Sequence, residues 1–181
     1  MKTLLVQPFL TLAPSMCMVI EEDEMFVREG EENVNGVKPG IVGYACAALN
    51  SKEFYKKQEV AWIPEMCKKY PEQLTEREDL SQAAKECIHH FHQFSALERA
   101  PLGVLRAQPA LLTCCVRADC RDPLAPARLL TCLLAALRAH GVNGVHACIN
   151  ATDHYLLQFY SKLGFAEAAR SGSRVFLARS F

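Results

Sequence analysis

The stretch Phe159-Tyr160-Ser161-Lys162-Leu163-Gly164-Phe165 decides the fold. It reads as the last turns of an amphipathic helix, a glycine stop and the entry to a strand. Upstream, Leu156 extends the apolar face that Phe159, Tyr160 and Leu163 share at helical spacing. Thr152 is the expected N-cap of this helix and Gly164 the residue that ends it. Downstream, two short strands are expected near 165–169 and 174–180.

Moving toward the N-terminus, residues 144–149 (Gly-Val-His-Ala-Cys-Ile) read as a strand. The helix before it starts between Asp122 and Pro126. Asp122 can cap it, and a proline in the first turn costs little because those amides lack helical partners. Leu130, Leu133, Leu134 and Leu137 form its buried stripe, and Gly141 ends it. Residues 110–117 (ALLTCCVR) are an unbroken apolar run of strand length, suited to the middle of a sheet. The order strand–helix–strand–helix–strand–strand implies a parallel pair joined by a right-handed crossover, with an antiparallel finish. The expected class is a mixed, partly parallel α/β sheet flanked by helices.

The first half supplies two more strands, residues 16–20 (Met-Cys-Met-Val-Ile) and 41–48 (Ile-Val-Gly-Tyr-Ala-Cys-Ala-Ala). They are expected to form a hairpin whose long acidic tip, 21–36, is a solvated loop. Residues 51–109 carry scattered Lys, Pro and Glu, and within them 81–94 have helical spacing at Ala84, Cys87, Ile88 and Phe91, with Ser81 as cap. This block is expected to be a helical insertion between two central strands, anchored on the sheet by Trp62 with Ile63 and Pro64.

The chain has 181 residues, enough for one domain with a real core. Its formal net charge is zero, which argues against a nucleic-acid footprint. Residues 91–181 nevertheless carry 10 basic and 5 acidic side chains, and this half could favour an anion. Nine cysteines lie mostly in apolar runs, where a reduced thiol packs as a small hydrophobe. No Cys-x-x-Cys pair exists, and His89 and His92 share a face with no second pair of ligands, so a metal site is not expected. Thiol usage points to a reducing compartment, cytoplasm or nucleus. No apolar run approaches the roughly 20 residues of a membrane span. The opening MKTLLVQPFLTLAPSM, interrupted at Gln7 and Pro8, is read as domain sequence cut from a longer chain.

With the strand order in place, FYSKLGF resembles the helix–strand signature of the GNAT acetyltransferase superfamily. LAPSMCMVIEED (12–23), GYA (43–45), WIPEMCKKY (62–70) and the 110–181 block are similar to the acetyltransferase-like domains at the C-terminus of O-GlcNAcases. The resemblance covers roughly 10–181. It implies one GNAT-like domain, an acetyl-CoA cofactor if the domain is active, and other domains of a parent chain, or another protein, as partner. The paired carboxylates of a glycoside hydrolase are not found.

The resemblance also assigns roles. A GNAT enzyme holds a diphosphate on backbone amides at a helix start opened by Gln/Arg-x-x-Gly-x-Gly/Ala. Here that segment is Arg121-Asp122-Pro123-Leu124-Ala125-Pro126, with Leu124 and Pro126 in the glycine positions. Cofactor contacts are implied at Val116, Arg121, Leu124, Ala125 and Asn150. Tyr160 matches the general acid that protonates the departing thiolate; the other reading is that it packs on its helix face. Asp153 stands where the family often has an Asn. It is read either as a base for an amine or as a first-turn carboxylate that suits the helix dipole. Occupied glycine positions and the absence of a carboxylate in ALLTCCVR favour a non-catalytic module over a working N-acetyltransferase.

Overall fold

The apolar runs and helical stripes fold into alternating elements. In the computed structural model, which describes residues 2–22, 40–93 and 99–181, α1 spans Lys2–Leu12, β1 Cys17–Glu22 and β2 Gly40–Ala48. Helices α2 (Ser51–Lys57), α3 (Ile63–Lys69), α4 (Gln82–His92) and α5 (Leu102–Ala107) follow. The second half is β3 (Ala110–Val116), α6 (Ala125–Ala139), β4 (Gly144–Asn150), α7 (His154–Lys162), β5 (Ala166–Ser171) and β6 (Arg174–Ser180).

The strands form one sheet in the order β1-β2-β3-β4-β6-β5. β3 and β4 pair in parallel, while all other neighbours are antiparallel. This is the mixed sheet expected from the sequence, with helices lying between β2 and β3. Most of the long acidic tip falls outside the described residues, as does Phe94 at the end of the helix expected over 81–94.

One sheet face is covered by α6. Leu130, Leu133, Leu134 and Leu137 are buried on Ala45, Ala47, Leu112, Val145, Ala147 and Ile149. Each buried leucine contributes roughly 2–3 kcal/mol relative to exposure. Gly43 lets β2 lie against β3: a Cβ there would meet Val116 at 2.9 Å. Gly164, at φ +79°, turns the chain from α7 into β5 in a conformation that glycine adopts without strain.

The opposite face is covered by α1, α2 and α5. Phe9 stacks on Phe54 with ring centroids 4.5 Å apart, beside Cys46, Ala48 and Leu111. Val104 and Leu105 of α5 pack with Phe176. The opening residues are domain sequence in this sense: Pro8 and Phe9 of α1 are buried.

Three expectations need correction. Trp62 does not anchor the helical segment on the sheet; it packs with Ile63, Phe91 and Leu12, joining α3, α4 and α1. The cap of α7 is Asp153 rather than Thr152, because the carboxylate reaches the Leu156 amide at 3.0 Å. Cys132 is exposed on α6 rather than packed. Ser81 does cap α4, accepting from the Ala84 amide.

Candidate functional site

The β3–β4 ladder is short. It joins Ala110 to Val145 and Leu111 to His146, and stops. β3 continues to Val116 and stays paired with β2; β4 continues to Asn150 and stays paired with β6. The sheet therefore opens as a wedge between the carboxyl ends of two parallel strands, the usual place for a ligand in an open α/β sheet. Val116 and Asn150 are the last residues of its two sides. The start of α6, which follows β3, and the start of α7, which follows β4, stand at the same end. The topology thus collects Val116, Arg121, Leu124, Ala125, Asn150 and Asp153 at one mouth.

The α6 start is the part that would face an anion. Asp122 uses it first. Its Oδ1 accepts from the Leu124 amide at 2.9 Å and its backbone oxygen accepts from the Ala125 amide at 3.1 Å. Pro126 has no N–H. Leu124 itself points outward, 63% exposed, whereas Ala125 is buried.

The cations around this loop are paired internally. Arg117 grips Asp119 with two guanidinium nitrogens, and Arg128 pairs with Asp122. The Arg121 amide donates to Glu22 Oε1 at 2.7 Å, while its Nε lies 3.9 Å from Glu22 Oε2. The exposed Arg117–Asp119 and Arg128–Asp122 pairs are individually weak, but with Glu22 beside Arg121 the acids match these three arginines in number. Burial, and then Glu22, push the Cys120 thiol up.

Glu22 is the residue that sequence reading passes over, as one letter of an acidic run. The signal was present in the two-residue period of β1: Met18 and Ile20 pack on the α6 side, and Glu22 continues that series.

Asn150 and Asp153 are committed to starting α7. Asn150 Oδ1 accepts from the Thr152 amide and hydroxyl, each at 3.0 Å, and its backbone oxygen accepts from the Asp153 amide. Tyr160 lies about two turns further along α7, buried in the α6-side core with Cys114 packed against the same cluster. Its ring meets Phe159 and Phe165 edge-on at 5.6 and 5.1 Å. Burial, and secondarily Cys114, push its phenol far above the ordinary value, so the group stays protonated. Burial likewise raises Cys114 to about 12, leaving an unreactive thiol. Among the described residues, no His, Cys, Asp and Glu cluster could hold a metal.

This architecture matches known structures. SsHAT superposes with a TM-score of 0.68 at 22% identity, over 96% of this chain and 76% of that one. The chain has the GNAT acetyltransferase fold. A NatC complex bound to Gag peptide and CoA aligns with a TM-score of 0.50 at 10% identity, over 98% of this chain and 78% of that one. Protein O-GlcNAcase from Rattus norvegicus is 31% identical over 166 residues, and the Mus musculus protein gives the same figures. The match takes in 92% of this chain but spans only 16% of those relatives. No family model matches the chain. The chain is thus an acetyltransferase-like domain whose α6 start carries Leu124 and Pro126 where the GNAT motif has glycine or alanine.

Proposed function

We propose that this GNAT-fold chain is a non-catalytic module that binds acetyl-CoA weakly or not at all and works by packing against other domains of a parent chain or a protein partner. One observation carries the reading. The amides of Leu124 and Ala125 are consumed by Asp122, Pro126 offers none, and Glu22 holds the Arg121 amide. A diphosphate would have to displace two carboxylates to gain what they already have. The likeness to O-GlcNAcase supports a setting within a longer chain, and the free thiols support a cytoplasmic or nuclear one. Among the described residues no helix is long and apolar enough to cross a membrane. Neither a nucleic acid nor a membrane is proposed as partner.

The second reading is an acetyl-CoA-dependent N-acetyltransferase acting on a protein amine. The burial of a neutral Tyr160 beside Cys114 of β3 favours it. Tyr160 would protonate the thiolate, Asp153 would serve as base, and Val116, Arg121, Leu124, Ala125 and Asn150 would hold the cofactor. Calorimetry with acetyl-CoA separates the readings. The module gives no heat at millimolar ligand; micromolar binding that is lost in Leu124→Arg supports the enzyme.

A further inference from the structure

Cys17 and Cys46 stand directly opposite each other in the antiparallel β1–β2 ladder. Opposed residues in such a ladder have Cα atoms about 4.5–5.5 Å apart and side chains on one face. That falls within the roughly 4.4–6.8 Å a disulfide spans without moving the backbone. Cys17 Sγ donates to the Ala13 carbonyl oxygen at 3.6 Å. Cys46 is buried under Phe9 and Phe54, whereas Cys17 is only partly covered. The adjacent Cys114 and Cys115 offer no such geometry, because neighbours on one strand face opposite ways. On its other side Cys46 faces Thr113.

We infer that Cys17 and Cys46 form an oxidation site, a thiol pair that hydrogen peroxide converts to a cross-strand disulfide in the folded protein. Cys17, the more accessible sulfur, attacks one peroxide oxygen. The O–O bond breaks, one oxygen leaves as water with the thiol proton, and Cys17 becomes a sulfenic acid. Cys46 Sγ then attacks Cys17 Sγ, the S–O bond breaks, and the hydroxyl leaves as water with the Cys46 proton. Two thiols and one peroxide give one disulfide and two waters. Burial, and then the Cys17 contact, hold the Cys46 thiol well above its ordinary value, so the second step quickens as pH rises. The bond ties the edge strand β1, which carries Glu22, to β2. The inference stands on the ladder alone and is independent of whether acetyl-CoA binds.

The test is hydrogen peroxide treatment of the native chain at mildly alkaline pH, followed by alkylation of free thiols, digestion and mass spectrometry. The expected product is a Cys17–Cys46 linked peptide, reversed by dithiothreitol, with a thermal midpoint above that of the reduced protein. Cys46→Ser abolishes the link and leaves Cys17 at the sulfenic or sulfinic stage. The inference is overturned if both residues stay alkylated while the exposed Cys132 oxidises, or if the linked peptides pair other cysteines. Should Cys46→Ser fail to fold, the peptide map of the unaltered chain decides.

Discussion

Glu22 accepts the backbone amide of Arg121 at 2.7 Å, joining the end of the edge strand to the loop before α6 across 99 residues of sequence. Its carboxylate is mostly covered, at 16% exposure. Glu22→Ala leaves the Arg121 amide without this acceptor. The expected loss is about 1–3 kcal/mol in urea unfolding, with little change in denaturant slope. Glu22→Gln keeps an acceptor and should recover much of that loss. Equal stability of all three proteins would remove Glu22 from the account.

The helix start should be convertible. Leu124→Gly with Pro126→Gly restores an amide and room for phosphate, and Asp122→Asn removes the competing charge. The triple variant is expected to bind acetyl-CoA in the micromolar range by calorimetry where the unaltered chain shows no heat. Failure of a folded triple variant to bind would mean that closure lies elsewhere in the wedge.

Asp153 is a cap. Asp153→Ala should cost about 1 kcal/mol of unfolding free energy, and Asp153→Asn much less, since Asn caps as well as Asp. Thr152→Ala should change stability less than Asp153→Ala. The reverse ranking would restore Thr152 as the cap.

His146 should give the protein an acid-sensitive step. The ring is fully buried; one nitrogen bonds the Gln108 carbonyl at 2.7 Å and Nε2 has no partner among the described residues. Burial holds its pKa below the ordinary 6.5, against the opposing pull of the Gln108 and Ala110 backbone. Between the lowered folded value and 6.5 the unfolded chain binds a proton that the native chain does not. Stability therefore rises with pH through this window, is lost as pH falls through it and levels off below, with a slope of at most about 1.4 kcal/mol per pH unit for one proton. His146→Gln should flatten that segment of a stability–pH curve. An unchanged slope in the variant would assign it to other groups.

Much of the fold was legible because burial writes periodicity into sequence. The α6 leucine stripe, the glycine stop at Gly164 and the apolar ALLTCCV strand each report a local requirement that one short window contains. Trp62 was misplaced because its partners, Phe91 and Leu12, come from elements far away in sequence, and an apolar side chain does not announce which face it meets. Thr152 and Asp153 are both good cap residues, and only backbone geometry chooses between them. The departure of Leu124 and Pro126 from the GNAT pattern is legible in one short window. The pairing of Glu22 with the Arg121 amide is not, because Glu22 lies 99 residues away in a run of acids that looks uniformly solvated.

The most direct test of the closed cradle is a titration of the isotopically labelled chain with acetyl-CoA, followed by the backbone amide resonances of Arg121, Leu124 and Ala125. The account requires these three signals to stay in place up to millimolar cofactor. Saturable shifts at those amides in the unaltered chain would contradict it.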